Sequence, residues 1–204
     1  FANLSHPGGF AVTTDDRQGI LKAMEHFRFC GCRRPAFLSY QHQKLPVLSE
    51  YLCCREQAYE EGLQLYFPDQ PPEFLYVDGR SLVGERRLAL TSQIARIKAV
   101  AIDSVLCISD LVAFKLLQQA RNAGLEVPKS FHLIGFGDLA LASISEPSLS
   151  SIAQDFEGMG AKITRMLIAQ IENTSEDKQS HNIRIPVQLV LRESSPSPKK
   201  GAQP

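Results

Sequence analysis

Three short polar sequences stand where chemistry could occur: Ser109-Asp110, Gly135-Phe136-Gly137-Asp138 and Ser39-Tyr40-Gln41-His42. Each closes or follows a short apolar run that reads as a buried strand. In open parallel sheets, ligands bind beyond the carboxyl ends of the strands. Hydroxyls, amides, a carboxylate and aromatic faces gathered there suit a neutral, hydroxyl-rich ligand. Such a ligand needs matched donors and acceptors and a flat apolar contact, with no charge clamp. Ser109 also reads as a plain helix N-cap, with the free N–H groups and positive dipole end of the following helix facing the crevice.

Catalytic patterns are thin. Neither standard Gly-rich phosphate loop occurs, nor Gly-x-Ser-x-Gly, nor His-Glu-x-x-His. The histidines His6, His26, His42, His132 and His181 are scattered. His26 sits beside the apolar face of a helix and His132 inside an apolar strand, where packing roles are favoured over catalysis. Asp103, Asp110 and Asp138 could meet at one sheet edge as a carboxylate set for a metal, but strand ends commonly carry Asp for capping. The reading is a non-enzyme with no metal and no cofactor. Five cysteines, Cys30, Cys32, Cys53, Cys54 and Cys107, lack the two-residue gap of a zinc or redox pair and read as reduced thiols of a cytoplasmic protein.

The elements that position these residues follow from the apolar pattern. Thr14-Asp15-Asp16 offers an N-cap for a helix carrying Ile20, Ala23, Met24 and Phe27, closed by Cys30-Gly31. His6-Pro7-Gly8-Gly9 marks a turn before it. Strands are expected at 36–38, 74–77, 104–108, 131–136 and 149–153, with further extended pieces ending at Ile185 and Leu191. Helices are expected over about 46–62, with Gly62 as the C-cap, and over 84–98, 110–122 and 156–173. Short apolar strands alternating with amphipathic helices argue for an α/β chain with a doubly wound, mostly parallel sheet. The Ser/Pro/Lys-rich stretch 194–204 reads as a frayed, disordered tail.

Composition narrows the partners. Hydrophobic residues make up 44% and charged residues 22% of 204, too apolar for disorder. Lys plus Arg and Asp plus Glu both number 22, so these residues lack the basic surplus that neutralises phosphates. No apolar run approaches the roughly 20 residues needed to span a bilayer, so no membrane partner is expected. Phe1-Ala2-Asn3 has neither an initiator Met nor a signal-peptide pattern and reads as a fragment or processed start.

Four sequences in order carry a resemblance to a known family. Val105-Leu106-Cys107-Ile108-Ser109-Asp110-Leu111-Val112-Ala113 resembles a strand–(Ser/Asn)-Asp–helix junction. Gly124-Leu125-Glu126-Val127-Pro128, leading into Phe131 to Phe136, resembles a Gly-Leu-x-Val-Pro turn and strand. Pro147-Ser148-Leu149-Ser150-Ser151-Ile152 resembles a Pro-x-Leu-Thr-Thr-Val crossing, and Pro186 to Ser194 a closing Pro-x-x-Leu-x-x-Arg-x-Ser strand. Together these resemble the effector-binding domain of LacI/GalR-type bacterial transcription regulators. Upstream, Asp15, Gly19, Ala23, His26 and Phe27 resemble the last helix of that family's first lobe, and Arg33 to Leu38 the first strand of the second.

The resemblance implies a two-lobed, periplasmic-binding-protein-like clamp, one lobe complete and one partial. Residues 1–29 would be the remainder of the N-terminal lobe, 30–152 the C-terminal lobe, 153–178 the crossing back, and 179–193 the final strands of the C-terminal lobe. It implies a homodimer, a small-molecule effector of carbohydrate type in the interlobe cleft, and DNA contact through a helix-turn-helix head not present here. By the same resemblance Ser109, Asp110, Gln154 and Phe156 line the cleft; Tyr40, Phe136, Gly137 and Asp138 at the strand ends, with Asp15, Tyr51 and Arg55, complete the candidate ligand-binding set. Two positions depart from the pattern: Gly137 stands where the family places Asp, and its cleft Arg falls at Tyr51, with Arg55 one helical turn on able to substitute. A solute-binding protein of a transport system is the alternative on the same fold, and an enzyme on a doubly wound fold the third reading.

Overall fold

The computed structural model describes residues 11–41, 49–78, 89–172 and 182–197. The expected turn at His6-Pro7-Gly8-Gly9 and the start of the helix placed at 84–98 lie outside them. The elements run β1 (Ala11–Thr14), α1 (Asp16–Phe29), β2 (Pro35–Tyr40), α2 (Ser49–Tyr66), β3 (Phe74–Val77), α3 (Thr91–Ala99), β4 (Ser104–Cys107), α4 (Asp110–Asn122), β5 (His132–Gly137), α5 (Ala140–Ile144), β6 (Ser150–Ala153), α6 (Phe156–Ile171), β7 (Asn182–Ile185) and β8 (Gln188–Val190). A six-stranded sheet has the order β3-β2-β4-β5-β6-β8, and β1 with β7 forms a second, two-stranded sheet. All pairs are parallel except β6 with β8. Among the described residues no helix is long and apolar enough to cross a membrane.

Local chemistry sets the helix starts. Asp15 caps α1 by accepting from the Gln18 N–H at 3.1 Å, and Ser109 caps α4 by accepting from the Val112 N–H at 3.5 Å. Val112, Ala113, Leu116, Leu117 and Ala120 recur at helical spacing on α4, and all are buried. Whereas the flanking β3 alternates, the central strands of the larger sheet show no alternation: every residue of β2 and β4 is buried. That is the pattern of a parallel sheet covered on both faces. Phe37 of β2, Phe74 of β3 and Tyr59 of α2 form an aromatic cluster, with centroids 5.2–6.3 Å apart. The Tyr59 hydroxyl donates to the Pro35 carbonyl at 2.9 Å, which satisfies the one polar atom the cluster buries.

Three expectations need correction. Gly62 does not end its helix, which continues to Tyr66. It sits where α2 crosses α1, and a Cβ there would fall 2.7 Å from Met24 Cγ, so its value is close helix approach. Of the two final strands, only β8 joins the larger sheet, whereas β7 pairs with β1 from Ala11↔Asn182 to Thr14↔Ile185. The start of the tail is not frayed. Ser194 and Ser195 are fully buried. Ser194 Oγ donates to the Leu133 carbonyl at 2.6 Å and accepts from the Ser150 N–H at 2.8 Å. Ser194 thus saturates backbone groups at the amino ends of β5 and β6 that would otherwise be buried without partners.

Because the α1–α2 crossing has no room for added volume, Gly62→Val should lower unfolding free energy in urea by about 1–3 kcal/mol, with an unchanged dependence on denaturant concentration.

Candidate functional site

β2, β4, β5 and β6 are adjacent and parallel, so their carboxyl ends lie along one edge of the sheet. That edge brings together Tyr40, Ser109, Phe136, Gly137, Asp138 and Gln154. The Tyr40 hydroxyl and Ser109 Oγ are 3.1 Å apart, one hydrogen bond between the tips of β2 and β4. Ser109 therefore caps α4 and contacts a neighbouring strand tip with the same oxygen.

Asp110 is committed inward. It is fully buried. One carboxylate oxygen accepts from Ser151 Oγ at 2.6 Å and the other from the Leu139 N–H at 2.7 Å. Burial pushes its carboxyl above the ordinary aspartate range, while the hydrogen bonds from Ser151 and Leu139 pull the other way. In this structure Asp110 holds β6 and the loop after β5 against the start of α4, with both carboxylate oxygens engaged inside the protein.

Arg55 is buried as well. Its Nε donates to Asp16 at 2.7 Å, its Nη1 donates to the Ile108 carbonyl at 2.6 Å, and its guanidinium carbon lies 3.4 Å from the centroid of the Phe136 ring. Phe136 is only 3% exposed, so the flat face expected for a ligand is occupied by Arg55. Thr14 donates to Asp16, completing a chain from β1 through α1 and α2 to the tips of β4 and β5.

Asp138 pairs with Arg192 Nη1 at 2.7 Å, and both are about one-fifth exposed. The same Arg192 nitrogen donates to the Leu149 carbonyl at 2.8 Å. Gln154 Nε2 donates to Thr14 Oγ1 at 2.7 Å, so the crossing after β6 is tied to the end of β1. Phe156, at the start of α6, is half exposed. Asp15 is partly buried and engaged as the α1 cap. Tyr51 falls on α2, and its side chain lies outside the described residues. Gly137 has φ +124°, a conformation that L side chains rarely adopt, so an Asp at that position would be strained in this backbone.

Four residues of this network were not singled out from sequence: Thr14, Asp16, Ser151 and Arg192. Ser151 and Arg192 lie within the Pro-x-Leu-Thr-Thr-Val-like and closing Arg-x-Ser-like sequences, so a signal for both was present. Thr14 and Asp16 offered only a capping pattern.

A family profile described as a periplasmic binding protein-like domain matches residues 24–195. The chain belongs to the periplasmic-binding-protein-like domain family. It is 34% identical over 184 residues to the ribose operon repressor of Halalkalibacterium halodurans, a match that covers 90% of this chain and 52% of that protein. The chain thus spans about half the length of that relative. In structure it is similar to a LacI family transcriptional regulator from Enterococcus faecium with bound ribose, at TM-score 0.79 and 22% identity over 96% of this chain and 69% of the other. It is also similar to the lac repressor dimer bound to operator and an anti-inducer, at TM-score 0.78 and 20% identity over 96% and 56% of the two chains. At these identities the likeness shows a shared fold.

Ser151→Ala removes a hydrogen bond that lowers the Asp110 pKa, so a carboxyl-carbon NMR titration should find that pKa higher in the variant. Asp110 binds its proton more tightly folded than unfolded. Its contribution to stability is therefore fully present below its unfolded pKa and lost as pH rises through the folded value. The variant carries that loss to higher pH and also costs about 1–3 kcal/mol in urea unfolding near neutrality. Gly137→Asp, which puts the resembled family's residue back, should itself cost about 1–3 kcal/mol in the same measurement because of the positive φ.

Proposed function

We propose that this chain is the ligand-sensing domain of a LacI/GalR-type transcriptional regulator. It binds a small polyhydroxylated metabolite at the carboxyl ends of β2, β4, β5 and β6. One observation carries the reading. The polar groups at those strand tips are shared with β1 and α1, through Gln154–Thr14 and Arg55–Asp16, so a ligand seated there touches both sheets at once. A ligand of that kind shifts the balance between two relative placements of the sheets, provided it binds one of them more tightly.

Tyr40, Ser109, Asp138, Gln154 and Phe156 are the ligand-facing set in this reading, with Arg192 orienting Asp138. Arg55, Asp110 and Phe136 form the floor beneath them, and Asp15 fixes the start of α1. The named relatives, a ribose operon repressor and a regulator with bound ribose, favour a pentose over a larger sugar. DNA contact is assigned to a helix-turn-helix head outside these residues, in keeping with their zero formal charge. Exposed Leu111 on α4 and Leu139 and Ile144 at α5 are apolar side chains that pairing with a second copy could cover. The reading is cytoplasmic and non-enzymatic, in line with repressors as relatives and cysteines that form no disulfide.

Isothermal titration of ribose, arabinose, lactose, cellobiose and nucleosides into the chain tests this. Binding of a pentose is expected, weakened about tenfold by Gln154→Ala, the loss of roughly one hydrogen bond. Heat from none of these compounds would remove the sugar-sensor reading.

A further inference from the structure

At the opposite end of the larger sheet from the strand tips, three side chains from distant parts of the chain converge. His26 lies in the last turn of α1, Cys30 follows it by one helical turn as the C-cap, and His132 opens β5. One ligand atom from each lies within 4.8 Å of the others. Ser195 stands between the two imidazoles, its Oγ 2.9 Å from His26 Nε2 and 3.0 Å from His132 Nδ1. Cys30 Sγ is 3.4 Å from His26 Nε2.

We propose that His26, Cys30 and His132 bind a zinc ion, with the Ser195 hydroxyl or a water molecule as fourth ligand. The argument is one of edge lengths. A tetrahedral zinc with nitrogen at about 2.0–2.1 Å and sulfur at about 2.3 Å separates its ligand atoms by roughly 3.3–3.6 Å. One edge is already of that size, nitrogen to sulfur at His26 and Cys30 at 3.4 Å, and the two imidazole-to-serine distances of 2.9 and 3.0 Å would lengthen slightly on binding. The remaining ligand atoms lie within 4.8 Å of one another.

The donor set also fits the ion. Two imidazoles and one thiolate suit a metal of borderline softness, and calcium or magnesium would require oxygen ligands instead. Burial lowers the pKa of both histidines, which favours the neutral ring that a metal needs; His26 Nε2 also donates to the Ser195 carbonyl at 3.1 Å, a contact the ion would replace. Burial pushes the Cys30 thiol up to about 11, so the ion must displace its proton. The S–H bond breaks, the proton leaves to solvent, and the sulfur lone pair forms the bond to zinc. With two neutral imidazoles and one thiolate, the dication leaves a single positive charge in the site. A cavity of about 540 Å³, lined by Lys22, Glu25, His26, Phe29, Gln188 and Leu189, gives the ion a path from solvent to His26.

The bound ion would cross-link the carboxyl end of α1 to β5 and to the segment after β8. It would thereby anchor the far end of the helix whose first turn carries Asp16. The hydrogen bonds of Ser195 to both histidines pin the same three segments without metal, so the test must separate a polar clasp from a metal site.

The reduced 204-residue chain is titrated with cobalt(II) and then with zinc against a chromophoric chelator. The expected result is one ion per chain, a thiolate-to-cobalt charge-transfer band, intense tetrahedral visible bands that zinc bleaches, and a higher melting temperature with zinc. Cys30→Ser should abolish the charge-transfer band, and His132→Gln should weaken zinc binding at least tenfold, with apo circular dichroism confirming that each variant folds. Ser195→Ala should retain the band, because water takes the fourth position, and Cys53→Ser with Cys54→Ser should leave it untouched. Absence of stoichiometric binding, or a band that follows Cys53 and Cys54 in place of Cys30, would overturn the proposal and leave the cluster as a hydrogen-bonded clasp.

Discussion

The guanidinium of Arg55 is the constraint on which the ligand-facing edge depends. It is taken out of water into a space where an unpaired charge would be costly, and its surroundings are complete: a carboxylate, a backbone carbonyl and an aromatic face. Each partner comes from a different element, namely α1, the end of β4 and the end of β5. Displacing any one of these elements would leave a buried cation short of a partner. The strand tips are therefore held in mutual position from below by one side chain, and the hydroxyls and amides above it can be preorganised toward a ligand. Beside it, the buried carboxylate of Asp110 does the same for β6 and the loop after β5.

These two charged groups also mark the limit of what sequence conveys. The helix α4 was legible to the residue, because a Ser cap, an acidic first turn and an apolar period all agree between Ser109 and Asn122. The apolar central strands of the larger sheet were legible because parallel strands buried on both faces have no polar alternation to obscure them. The tip residues Ser109 and Tyr40 could be placed from strand ends alone. Whether a polar side chain at such a tip looks outward or inward was not legible. Asp110 and Ser109 are neighbours in sequence with opposite fates, decided by Ser151, which lies far along the chain.

Long-range pairing was the other blind spot. Extended stretches around 183 and 189 look alike in sequence, and only the topology sends one to β1 and the other to β6. Likewise the serines near 195 resemble any polar tail, and the burial of Ser194 follows from unsatisfied backbone at the amino ends of β5 and β6. Gly62 shows the same ambiguity on a smaller scale. A glycine near an expected helix end reads as a stop signal, whereas here it is a point of contact between two helices.

The pairing of β1 with β7 has a consequence for how the molecule is made. These two strands enclose in sequence every strand of the larger sheet except β8. Among the described strands, β1 precedes the five strands that separate it in sequence from β7. Loop-closure entropy makes so distant a pairing a late event, and an unpaired edge is open to wrong partners in the interval. The larger sheet is built mostly from neighbours along the chain, so the distant β1–β7 pairing is expected to form after it.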